Sequence, residues 1–262
     1  MRNIAIVGML LGCAHSFAHD TWVETNTNLV RTGDAVFVDL KLGNHGNTHR
    51  DFKLASKVDL ESCELKVIAP DGTAYDLKDR LIDVGYAPKE GYWTTKFAVA
   101  KPGMYVVSHS LDAVVNHGRP TRSIKSGKTC FVVSDSLDRV PFINPGFDRP
   151  AGHAFEILPV ANPVTPMGPG EPIVVRVLLE GQPLADTTVS FIPQSETLRD
   201  GFDERYERKT NAAGEAEFTP KTGDRYLVVA HHTTDDSGDG YEQTAYAATL
   251  TVFVPEMCPC CE

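Results

Sequence analysis

His19 is the residue whose chemistry depends most on where the chain is cut. It follows Ser16-Phe17-Ala18, which places small residues at the −3 and −1 positions of an export cleavage site. Cleavage after Ala18 leaves His19 first, so one residue carries an imidazole nitrogen and a free α-amine. The amine's ordinary pKa is about 7.7–8.0, and a metal ion can displace its proton near neutral pH. Amine plus imidazole is a chelate suited to nickel, cobalt or copper, ions that favour nitrogen ligands. A further histidine would complete a three-nitrogen arrangement like the histidine brace of copper oxygenases. The plain alternative is an ordinary frayed terminus.

Several histidines are candidates to join it. His45 and His49 share the loop Asn44-His45-Gly46-Asn47-Thr48-His49 after a long strand-like run. His109 ends Met104-Tyr105-Val106-Val107-Ser108, and His117 lies in the loop beyond. His231 and His232 end Tyr226-Leu227-Val228-Val229-Ala230. Strand alternation sends the last two to opposite faces, so at most one can address a given ion. His153 opens the second half of the chain. The C-terminal Met257-Cys258-Pro259-Cys260-Cys261-Glu262 is a soft-ligand tail of thiols and a thioether. In an oxidising compartment Cys258, Cys260 and Cys261 have the competing fate of a strained disulfide or a cross-link. Asp235-Asp236-Ser237-Gly238-Asp239-Gly240 resembles the opening of a calcium loop. Its twelfth position is Tyr246 where a bidentate Glu is required, so it reads as an acidic turn.

The elements that must carry these residues are short strands. Ala35–Leu42, Cys63–Ala69, Trp93–Val99, Met104–His109 and Thr129–Val133 are β-branched or aromatic runs bounded by Gly, Pro, Asp and Asn. The second half continues with 173–179, 187–192, 206–210, 216–219, 226–231 and 246–254. No segment sustains a helical apolar period over three turns. The prediction is an all-β chain of two β-sandwich domains, the C-terminal one an immunoglobulin-like Greek key. The expected divisions are a signal peptide at 1–18, an N-terminal sandwich at 19–135, a linker at 136–152, a C-terminal sandwich at 153–255 and a Cys-rich tail at 256–262. Cys63 and Cys130 lie in separate strands of the first domain and are expected to pair as a disulfide.

Composition bounds the function. Arg2 followed by the apolar Ile4–Leu11 reads as the start of a signal peptide, far shorter than the roughly 20 residues of a membrane span. The expected location is the periplasm. A competing reading takes Leu10-Leu11-Gly12-Cys13 as a lipobox, with a lipid anchor on Cys13. A formal charge of −10 argues against a nucleic-acid partner, whose phosphates demand a basic face. No transmembrane segment is expected. Nucleophile-elbow, phosphate-loop and zincin motifs are absent, which leaves enzyme chemistry without named residues apart from a metal site.

Four stretches carry a family resemblance. They are His19-Asp20-Thr21-Trp22-Val23-Glu24, the run 152–163 (Gly152-His153-Ala154-Phe155 onward), the corner Gly181-Gln182-Pro183-Leu184-Ala185 and the closing run 246–252. In these the chain resembles the DUF4198 family, exported proteins associated with nickel and cobalt uptake. The resemblance implies a periplasmic metal-handling protein with an N-terminal sandwich and an immunoglobulin-like C-terminal domain. The leading functional expectation is therefore binding or delivery of nickel, cobalt or copper, with hand-off to a membrane metal transporter. Two other readings stand beside it: a histidine-brace copper oxidase acting on a polymer, and an adhesive or scaffolding sandwich that holds no ion.

Overall fold

The computed structural model describes residues 19–44, 60–85, 87, 90–116 and 118–256. The chain is all-β, as the strand-like runs predict. In the first half the strands are β1 (Asp20–Thr25), β2 (Leu29–Arg31), β3 (Ala35–Gly43), β4 (Cys63–Ile68), β5 (Ala74–Asp76), β6 (Ile82–Asp83), β7 (Trp93–Ala98), β8 (Gly103–Asn116) and β9 (Pro120–Ser134). In the second they are β10 (Phe155–Pro159), β11 (Ile173–Leu179), β12 (Gln182–Pro183), β13 (Thr188–Pro193), β14 (Glu207–Lys209), β15 (Glu215–Phe218), β16 (Asp224–Thr234) and β17 (Gln243–Val254).

One sheet runs through both halves. Its order is β14-β13-β16-β17-β9-β8-β4-β5, with β2 beside the end of β9. The joint is a parallel pairing of β17 with β9, from Gln243 opposite Thr121 to Thr251 opposite Thr129. Two smaller sheets lie on it. One has the order β1-β3-β7-β6, and the other joins β10 to β11, with β12 and β15 also pairing on β11.

Alternation along the shared strands fixes which face each small sheet covers. Tyr105, Val107, Leu111, Phe131 and Val133 point into a core with Val23, Val38, Leu40 and Phe97 from the first small sheet. On β17 the even residues Tyr246, Ala248, Leu250 and Val252 point into a second core with Phe155, Ile157, Val175 and Val177. Ile124 of β9 lies opposite Tyr246 and packs against that second core. Odd and even positions of a strand face opposite ways. The two cores therefore sit on opposite faces of the shared sheet, staggered along it.

The corners follow turn chemistry. Glu180 and Gly181 both take positive φ, 50° and 74°, and turn the chain from β11 into the short return strand β12. Gly170 and Gly214 likewise occupy positive φ at turns. Among the described residues no helix is long and apolar enough to cross a membrane.

The expected Cys63–Cys130 disulfide is corrected by the register. Cys63 belongs to the first core, whereas Cys130 lies in a cluster with Met104, Val106, Val132 and Val164 on the other face. Cys63 aligns with Leu111 and so with Lys125, five positions along β9 from Cys130. That offset is about 17 Å along the strand, beyond the roughly 7 Å Cα separation a disulfide tolerates. The two are not bonded to each other. Burial pushes the Cys130 thiol up to about 12.

Candidate functional site

The first described strand crosses the shared sheet where its two halves meet. β1 pairs with β3 along one edge and lies over β9 and β17. Gly127 of β9 makes the close approach possible: a Cβ there would sit 3.0 Å from Thr249 Oγ1 and 3.4 Å from Trp22 Cα. The Thr249 hydroxyl donates to the Thr21 carbonyl at 2.9 Å. Trp22, 1% exposed, packs on Leu227 and Val229 of β16. Burying a side chain of this size contributes about 3 kcal/mol.

Charged groups gather along this strand. Asp20 Oδ1 meets His231 Nε2 at 2.8 Å. Burial pushes the Asp20 carboxyl up, but His231, Lys125 and His19 together outweigh it and hold the carboxyl below its ordinary value. On His231 burial pulls down, and the Asp20 charge and hydrogen bond overcome it, so the imidazole holds its proton above the usual value. Lys125 donates to the His19 carbonyl. Its ammonium is pulled below its ordinary value by burial, against the attraction of Asp20.

Four residues on, Glu24 is 2% exposed in its side chain and accepts from Lys41 at 3.0 Å, from Arg225 and from the Trp22 indole at 2.7 Å. Burial raises its pKa, yet the two cations bring it below its ordinary value. Asp20 and Glu24 thus tie the first strand to β16 at both ends.

Beside His231 the same face of the shared sheet is open. Thr188 and Ser190 of β13, Glu207 and Lys209 of β14, Val229 and His231 line a cavity of about 430 Å³ together with Asp186. Thr188 is opposite Lys209 and Ser190 opposite Glu207. The Ser190 hydroxyl donates to Glu207 Oε1 at 2.7 Å, and the Asp203 N–H donates to Oε2 at 2.6 Å.

The candidate ligands divide into four groups. His19 and His231 both act on Asp20 at the crossing. His109 lies nearby but is spent: Nδ1 meets the Glu64 carbonyl at 2.9 Å and Nε2 the Thr21 hydroxyl at 3.1 Å. Burial lowers its pKa to about 4, so it is a neutral core histidine. Its assignment as a metal ligand is corrected because both ring nitrogens are engaged in these hydrogen bonds. His45, His49, His117, Cys258, Cys260 and Cys261 lie outside the described residues, as does Cys13, the lipid-anchor candidate. Gly43, two residues before His45, is the register partner of Asp20.

His232 turns to the opposite face, its ring 6.2 Å from those of Phe155 and Tyr246. His153 reaches Ser108 Oγ at 2.8 Å across the seam between the halves. Among the described residues no three His, Cys, Asp or Glu side chains converge as a ligand set. The donors at the crossing match borderline divalent ions in kind and fall short of them in number.

Asp20, Glu24, Lys125 and Arg225 join the site although their sequence pattern does not mark them as site residues. Asp20 stands next to His19, which was a usable signal. Lys125 lies in Ser123-Ile124-Lys125-Ser126-Gly127-Lys128, a mostly polar stretch that is the middle of a 15-residue strand.

Solved structures that align with the chain do so at low similarity. Salmonella α2-macroglobulin reacted with methylamine is 15% identical, with a TM-score of 0.27, over 91% of this chain and 15% of its own. A DUF4785 family protein from Legionella pneumophila is 11% identical, with a TM-score of 0.29, over 90% of this chain and 47% of its own. The Yersinia pseudotuberculosis adhesin InvE is 14% identical, with a TM-score of 0.22, over 88% of this chain and 58% of its own. The chain thus spans under a sixth of the macroglobulin and about half of the Legionella protein. No curated protein matches it. The family model described as "Domain of unknown function (DUF4198)" matches residues 16–234, most of the chain, and the protein belongs to the DUF4198 family.

Proposed function

We propose that this chain is an exported binding or delivery protein for a transition-metal ion, nickel, cobalt or copper, and that its site forms at the crossing of β1 over the shared sheet. One observation carries the reading: the half-buried Asp20–His231 pair stands immediately beside His19. Cleavage after Ala18 would add the His19 amine and imidazole to those donors. The β3 strand that leads to His45 and His49 ends opposite Asp20, which supports the loop as a source of further nitrogen. Hand-off would go to a membrane metal transporter.

The test uses protein secreted with its native leader. Its N-terminal sequence and intact mass establish the start, and calorimetry with nickel, cobalt and copper salts measures binding. Protein beginning at His19 should bind at least tenfold more tightly than the same chain with one Ala ahead of His19. His231→Ala should lower affinity by a similar factor. Equal affinity with and without the extra Ala removes His19 from the site.

A scaffolding or adhesive sandwich without any ion is the second reading. It is favoured by the lack of a three-ligand cluster among the described residues, and failure of all three ions to bind at micromolar concentration would select it. The polymer oxidase is the weakest of the readings, because Trp22 is buried under β16 contacts and cannot face a substrate.

A further inference from the structure

His19 falls one position outside its ladder. β1 pairs with β3 from Asp20 opposite Gly43 onward, and a first residue just beyond a ladder frays unless something ties it down. The shared sheet supplies the tie. Lys125 of β9 donates from Nζ to the His19 carbonyl.

Two residues of β9 thus receive the start of the chain in different ways. Lys125 and Gly127 are one pleat apart, and alternation turns both positions to the same face. At Gly127 the missing side chain lets the Trp22 backbone come down onto the sheet. At Lys125 a long side chain meets the backbone of the residue before β1. Its neighbour on β17 is Ala247, small enough to leave room beside the lysine stem.

A lysine is rarely buried unless its charge and its donors are both used. Here Asp20 attracts the charge, and the His19 carbonyl takes a donor. That carbonyl belongs to the residue that would bring amine and imidazole to an ion. Fixing it fixes the planar peptide group from which both hang. Rotation about the Cα–C bond is then the main freedom left to place the amine.

We infer, resting on the metal reading, that Lys125 is the positioning residue of the site. It holds the first residue of the processed chain beside the Asp20–His231 pair, so that the two nitrogens of His19 converge on the ion with less order left to impose on binding. As an ammonium it has no lone pair and is not itself a ligand.

An ammonium near a divalent ion also repels it, so the bare change in affinity on removing Lys125 mixes two effects. A ratio between two proteins that differ only at the terminus separates them, because the repulsion is common to both. Calorimetry with nickel chloride therefore compares the chain beginning at His19 with the chain carrying one Ala ahead of it, each with Lys125 and with Lys125→Met. With Lys125 in place the extra Ala should weaken binding by at least about tenfold. In Lys125→Met that penalty should shrink to within about twofold, whichever way the absolute affinity moves. A role confined to fold stability lowers both starts alike, so a penalty unchanged in Lys125→Met overturns the inference and leaves the metal reading in place. Thermal unfolding checks every variant, and Lys125→Gln, with the same expectation, replaces Lys125→Met if that protein does not fold. Absence of nickel binding, or an extra Ala without effect beside an intact Lys125, removes the metal reading at His19 and this inference with it.

Discussion

Asp20 and His231 meet at 2.8 Å although 211 positions separate them in the chain. The contact fastens the first described strand to the penultimate one, and its strength depends on two protons. His231 has a raised pKa in the fold, so its contribution is complete below about 6.5 and is lost as pH rises through the folded value. Asp20 has a lowered pKa, so its contribution is complete above about 3.8 and is lost as pH falls through the folded value. The pair therefore contributes most between those limits. Asp20→Asn should cost about 1.5 kcal/mol at pH 5.5 and distinctly less at pH 9, measured by urea unfolding at both values. An equal cost at the two pH values would count against the ion pair.

His109 gives an acid limb to the stability curve. Its folded pKa is near 4, well below the ordinary 6.5, so the unfolded chain takes up the proton first as pH falls. Stability present above pH 6.5 is lost between there and pH 4, by about 3 kcal/mol. His109→Gln should flatten that limb while destabilising the protein at neutral pH, because the Glu64 carbonyl and Thr21 hydroxyl lose a matched partner. Stability followed against pH in both proteins separates the two effects.

Gly127 should tolerate no branched side chain. Its missing Cβ is the space into which the Trp22 backbone and the Thr249 hydroxyl fit. Gly127→Val should cost about 2–3 kcal/mol by overpacking and shift tryptophan emission to the red as Trp22 leaves Leu227 and Val229. An unshifted spectrum would show that β1 stays docked despite the added bulk.

Lys128 and Glu156 form an ion pair with side chains only 3% and 2% exposed. Glu156 also accepts from the Ala151 N–H at 2.5 Å. Removing one partner strands a charge in the seam, so Lys128→Met and Glu156→Leu should each cost about 3–5 kcal/mol. Replacing both should recover a large part of that loss, since two well-packed apolar groups leave no charge to solvate. A double-mutant cycle in urea checks it, and additive losses would mean that the two charges are not coupled.

Much of the strand inventory was legible in local patterning. The run expected at Ala35–Leu42 lies in β3, those at 226–231 and 246–254 fall within strands, and those at 63–69 and 93–99 match strands to within one residue. The separate faces of His231 and His232 also followed from alternation alone. What could not be read was which strand lies beside which. Nothing local in Ala247 or Lys125 announces that they are parallel neighbours. Nor does any local signal say that Cys63 and Cys130 face opposite cores, and composition alone made their pairing look natural. The site suffers from the same limit, because Asp20, Lys125 and His231 become neighbours only through long-range pairing. His109 shows the converse: a histidine at a strand end looks available until its two nitrogens are seen to be used.

The nine-residue parallel splice between β9 and β17 makes the halves poor candidates for exchange between proteins. Cutting the chain near residue 140 would bare the flank of β9 from Thr121 to Thr129 in one fragment and of β17 from Gln243 to Thr251 in the other. Each raw flank offers unmet backbone donors and acceptors that recruit any available strand. Expressed separately, the fragments should clump or recombine with each other, because each carries half of one parallel pairing.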